Sequence, residues 1–270
     1  MAPMWRPSLK KCSCAMSAIR PARRDKSAIR PARRDKSAIR PTRRDKSAIR
    51  PTGQHTSVDV FAGGNKPRLR GVFHKWSFFV SIAAGALLVV GPASNSWPSA
   101  VVYAACVAAM FGASALYHRI NWSPRMAPKM MQVDKTAIYL MIAGTFTPIA
   151  VVGLDGPWAT WLLVVVWALA LVLIAGLWIP WEPPYGTITT TYIVLGCVAA
   201  LSMPAIWREI SPTFTVLLLA GGALFTVGAI LLAVRRPDPW PRVFGYHEVW
   251  HVIVMVAASM HYAGIALYVY

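Results

Sequence analysis

A chain of 270 residues that is 56% hydrophobic and 14% charged, with twelve tryptophans, lies outside the range of soluble globular domains. The formal net charge of +18 invites a nucleic-acid reading, but nineteen of the twenty-eight Lys and Arg residues fall in positions 1 to 70 and the hydrophobic remainder is only mildly basic. Composition therefore predicts an integral membrane protein with membrane lipid, and no nucleic acid, as its partner. Cys12 and Cys14 lie in the basic segment and Cys106 and Cys197 in apolar runs, which gives neither a disulfide framework nor a well-spaced cysteine metal site.

In chain order, the first feature is a decapeptide, Ser-Ala-Ile-Arg-Pro-Ala-Arg-Arg-Asp-Lys, repeated from Ser17 to Lys46 with Ala to Thr changes and a partial copy ending at Thr52. Each unit carries a helix-breaking proline and a single isoleucine, so residues 1 to 70 are expected to form a disordered basic arm. Such an arm suits anionic lipid headgroups, although so regular a tandem repeat reads first as recent duplication. Its twin arginines are not followed by an apolar core, so a cleaved export signal is not expected.

Residues 71 to 270 read as the membrane domain. Seven apolar runs, each near the length that crosses a bilayer, are predicted as helices: Val72 to Val90, Ser99 to His118, Val133 to Val152, Trp158 to Ile179, Ile188 to Ile206, Phe214 to Val234, and Val249 to Tyr270. Short connectors rich in Pro, Gly, Asn and Trp join them, which predicts an all-α seven-helix bundle in the cell membrane. The second connector holds Arg119, Arg125 and Lys129 and the sixth Arg235, Arg236 and Arg242, whereas the first and third hold no Lys or Arg. Alternate connectors are thus basic, which predicts a cytoplasmic N-terminus and an external C-terminus. His118, Asp134, His247 and His251 then all fall at cytoplasmic helix ends.

His247 and His251 are four residues apart, so on a helix both imidazoles share one face, one turn apart. By itself such a pair is equally a hydrogen-bonded structural pair. Adding His118 gives three nitrogens from two helices and leaves a fourth tetrahedral position for water, the pattern of a catalytic zinc site. Ser114 shares a face with His118, one turn away, and Asp134 could orient a ligand or take the proton of water. Blander roles exist: Ser114 can bond the carbonyl of residue 110, and Asp134 can cap its helix or pair with Arg119 or Lys135. His74, beside Lys75 and Trp76, reads as an interfacial anchor, and His261, about 15 Å deeper than His251 by helix rise, as a buried hydrogen-bonded residue.

Three separated blocks carry a family resemblance: Phe111-Gly112-Ala113-Ser114-Ala115-Leu116-Tyr117-His118, the run from Asp134-Lys135-Thr136 to Phe146-Thr147-Pro148, and His247-Glu248-Val249-Trp250-His251. Over roughly residues 68 to 270 the chain resembles the bacterial hemolysin III family, itself related to the progestin and adiponectin receptors and the alkaline ceramidases. The resemblance implies seven helices, zinc held by His118, His247 and His251, and family roles for Ser114 and Asp134. It also implies lipid amide hydrolysis or lipid-linked signalling, while the family name records cytolysis. Two positions depart from the pattern: Arg70-Gly71-Val72-Phe73-His74 stands where many relatives carry Glu-Asn-x3-His, and Lys135 stands where histidine is expected.

The leading expectation is therefore a zinc-dependent hydrolase of a lipid acyl bond, with Asp134 as base, Ser114 as donor to the oxyanion and Glu248 as the alternative base. A non-enzymatic receptor-like or lipid-homeostasis regulator and a cytolysin are the alternatives. A pore is disfavoured because ionisable residues gather at one end of the spans. An intramembrane peptidase is rejected because Leu154-Asp155-Gly156 precedes H-E-x-x-H and falls at the opposite membrane face. A retinal protein is disfavoured because the last span contains no lysine. Oligomeric state is not encoded in any of these features.

Overall fold

The computed structural model describes residues 66–91, 96–181 and 183–270. The decapeptide repeats, and with them the expected basic arm, lie outside these residues.

The described residues form eight helices: α1 (Val72–Val90), α2 (Trp97–Arg119), α3 (Ala127–Pro148), α4 (Gly156–Trp178), α5 (Thr187–Ala200), α6 (Met203–Glu209), α7 (Pro212–Val234) and α8 (Tyr246–Tyr268). Among these residues there is no strand, only an isolated bridge between Trp240 and Phe244. Proline occupies the first or second position of α2, α3, α4, α6 and α7, where its missing N–H has no intrahelical partner to lose. The Ser211 hydroxyl adds a cap to α7 by accepting from the amides of Thr213 and Phe214 at 3.2 and 3.5 Å.

Six helices are each long and apolar enough to cross a bilayer, and α5 with α6, bent by 42° at their break, makes a seventh when the pair is taken as one span. This is the all-α membrane bundle expected from the sequence, with three differences of detail. The predicted continuous helix from Ile188 to Ile206 is broken because Pro204 cannot donate to the preceding turn, and Ser202 turns its hydroxyl onto the Ala199 carbonyl at 2.7 Å. The third span begins at Ala127, so Asp134 lies two turns inside α3 rather than opening it. Its other end passes through Pro148 into a π-helical turn, Ile149–Gly153, where the missing proline N–H again unsettles the regular ladder.

Large apolar residues on the outer surface, such as Phe79, Val80, Leu87, Val164, Val172 and Leu219, are exposed, as the hydrocarbon phase permits. Inside, Leu162, Val166, Leu195, Ile206, Phe214 and Ile265 are fully buried in the main core. A second cluster of Met110, Phe111, Ala137, Met141 and Val254 packs between α2, α3 and α8. Small residues allow the helices to approach. A Cβ on Gly144 would stand 2.6 Å from that of Cys106, and one on Gly264 2.7 Å from the Phe214 ring.

Candidate metal centre

His118 lies in the last turn of α2 and is buried, and His247 and His251 occupy the first two turns of α8. The Nε2 atoms of His118 and His247 stand 3.1 Å apart. The His251 ring centroid lies 5.0 Å from that of His118 and 4.7 Å from that of His247. One ligand nitrogen from each ring falls within 4.8 Å of the other two, so the three histidines could hold a metal ion. The donor set suits zinc or a similar ion. Tetrahedral ligands about 2.0–2.1 Å from zinc stand roughly 3.3 Å from one another, which the His118–His247 spacing already approaches. His251 Nδ1 is buried without a hydrogen-bond partner among the described residues, which is costly for an imidazole that has nothing to bind.

Asp134 reaches this group from α3. Its Oδ2 lies 3.9 Å from His118 Nε2, and its carboxyl group is hydrogen-bonded by the Ser114 hydroxyl. Asp134 therefore faces the histidines instead of capping its helix. Its side chain is mostly buried, with 18% of its surface exposed. All five residues singled out in the sequence, Ser114, His118, Asp134, His247 and His251, meet at one end of the bundle.

Glu248, in the same first turn of α8, does not join them. Its Oε1 accepts from Arg70 Nε at 2.5 Å and its Oε2 from the Gly245 amide at 2.8 Å, so the glutamate satisfies the free amide at the start of the helix. Both members of the ion pair are buried, with side-chain exposures of 5% and 0%. Although the string reads H-E-x-x-H, both oxygens of its glutamate bind elsewhere, one to Arg70 and one to the Gly245 amide.

Two neighbours of the site differ from their sequence reading. His74 is not an interfacial anchor: it is buried, stacks on His251 at a centroid distance of 3.9 Å, and meets the edge of Phe111 at 5.1 Å. Arg70 was visible only as a departure from a family pattern. The signal for it was Glu248, since an acid inside a membrane span needs a cationic partner. His261 is the buried residue expected, with Nε2 donating to the Leu218 carbonyl at 3.1 Å.

An all-helical, multi-pass membrane domain with three imidazoles, a carboxylate and a hydroxyl at one end defines the class of protein. The family model described as Haemolysin-III related matches residues 63–262, and the chain belongs to that family. It is 29% identical to Hemolysin-3 of Bacillus cereus over 202 residues, which covers 73% of this chain and 89% of that protein. It is 26% identical to a Hemolysin-3 homolog of Bacillus subtilis (strain 168) over 202 residues, 73% of this chain and 91% of that one. The adiponectin receptor protein of Drosophila melanogaster is 27% identical over 172 residues, 57% of this chain and 39% of the receptor.

Proposed function

We propose that the chain is a zinc-dependent membrane hydrolase that cleaves a lipid acyl bond, amide or ester, with His118, His247 and His251 as ligands and Asp134 and Ser114 as catalytic residues. The observation that carries this reading is the placement of the Asp134 carboxyl group beside three convergent imidazoles, 3.9 Å from His118. The alternating basic connectors support a cytoplasmic position for this site.

Zinc bound there would supply Lewis acidity and make a water molecule acidic enough to react near neutral pH. The protein side chains do the rest. Asp134 takes the proton of the attacking water on a carboxylate oxygen. Once protonated it donates to the Ser114 oxygen, which frees the serine hydrogen to turn toward the oxygen of the reacting carbonyl. The same proton is then available to the departing amine or alcohol. Glu248 takes no part, because both its oxygens are engaged.

The test is metal analysis of purified protein together with release of labelled fatty acid from amide- and ester-linked lipids in micelles. Stoichiometric zinc in wild type, its loss in His247→Ala, and release that disappears in Asp134→Asn are expected. Zinc without release from any lipid would favour the second reading, a receptor-like regulator, which the similarity to the adiponectin receptor protein supports. The cytolysin reading rests on the names of the family and of two relatives.

A further inference from the structure

We infer that the segment from Lys66 to Gly71, ahead of α1, is a positioning strap that sets the distance between the two histidine-bearing helices; its meaning for activity rests on the metal reading above, but its geometry does not. Its long-range hydrogen bonds reach the end of α2, the connector before α8 and the first turn of α8. Lys66 Nζ donates to the carbonyls of His118 and Ile120 at 3.5 and 3.3 Å, where the last turn of α2 has unsatisfied acceptors. The amides of Arg68 and Leu69 donate to the carbonyls of Arg242 and Val243, both at 3.1 Å, in the connector before α8. Arg70 closes on Glu248 in the first turn of α8.

Gly71 completes the strap by close approach. Its φ of +72° lies in the left-handed region, and a Cβ there would stand 2.7 Å from the Cβ of His118. The backbone of the strap thus rests directly on one ligand, while the next residue back holds the helix that carries the other two. Arg70 and Gly71 touch neither metal nor substrate in this arrangement; they act through the spacing of His118 against His247 and His251.

The experiment compares wild type, Arg70→Gln, Arg70→Lys and Gly71→Ala in detergent, with Arg125→Gln as an exposed charge control. Zinc affinity is read by chelator competition, and the cobalt-loaded proteins by their visible absorption. Arg70→Gln and Gly71→Ala are expected to bind zinc about 10- to 100-fold more weakly with all three histidines intact, and to shift the cobalt bands. Arg70→Lys recovers part of the loss, and Arg125→Gln matches wild type. Hydrogen exchange on metal-stripped protein provides a readout that needs no metal: both variants should speed exchange at residues 114–120 and 245–251. Unchanged affinity and unchanged exchange in both variants overturn the strap. A wild type that binds no metal removes the proposed function instead, and the exchange data alone then decide for or against the strap.

Discussion

Glu248→Ala separates a structural glutamate from a catalytic one. The substitution leaves the Arg70 guanidinium inside the protein without its carboxylate, and removing one partner of a buried pair costs about 3–5 kcal/mol. The Gly245 amide loses its acceptor as well, a further penalty of about 1–3 kcal/mol if no other group moves in. Because the two losses share one side chain they do not simply add, and a total of at least about 3 kcal/mol, or roughly two powers of ten in the folding equilibrium, is expected. Reversible unfolding in mixed micelles, followed by tryptophan fluorescence, measures it. The double variant Arg70→Leu/Glu248→Leu should recover to within about 1–2 kcal/mol of wild type, because apolar replacement of both partners removes the buried charges together. A loss below about 0.5 kcal/mol in Glu248→Ala is the value of a solvated surface pair, and would show that the pair is not buried as described. A Glu248→Gln protein of wild-type stability that hydrolyses nothing would restore this residue as the base.

The remaining predictions concern ligands, topology and the basic segment. His118→Ala, His247→Ala and His251→Ala should each be metal-poor by elemental analysis, whereas Ser114→Ala and Asp134→Asn should keep the metal with at most about a 10- to 100-fold loss of affinity and a larger loss of hydrolysis. Asp134→Asn free of metal, with zinc retained in His118→Ala, would reverse the assignment. A reporter after Tyr270 should report the external side and one inserted between Arg125 and Lys129 the cytoplasmic side; both on one side would undo the odd number of crossings. Deleting residues 1 to 52 should leave metal content unchanged, since the strap begins only at Lys66, and a metal-free truncated protein would contradict this.

Much of the bundle was legible because apolar length is a strong signal in a membrane protein. The first predicted span coincides with α1, and the sixth ends where α7 ends. The errors arose where an apolar window hides a local breaker. Ile188 to Ile206 reads as continuous by hydropathy, yet Pro204 divides it. The early start of α3 was missed for the opposite reason, since Lys129 and Gln132 lower the hydropathy of a helix already begun at Ala127. The histidine trio was legible from a four-residue spacing and from the common end of the spans. The Arg70–Glu248 pair was not, because its members are 178 residues apart and the glutamate sits inside a string that suggests chemistry. The stacking of His74 on His251 depends on how α1 leans toward α8, which no local pattern encodes.

The glycine contacts have a thermodynamic consequence. Gly85 against Ala104 and Gly144 against Cys106 draw α1, α2 and α3 together, while Gly228 against Trp250 and Gly264 against Phe214 draw α7 to α8. His118 belongs to the first group, and His247 and His251 to the second. An ion that binds only when all three imidazoles converge therefore binds the assembled bundle and not its separated parts, and its free energy is added to that of assembly. At a free concentration one hundred times its dissociation constant the ion contributes about 2.7 kcal/mol. With metal bound as proposed, occupancy of the site and cohesion of the fold would be one linked equilibrium, so a scarcity of metal would register as a loosened protein whether or not any lipid is ever cleaved.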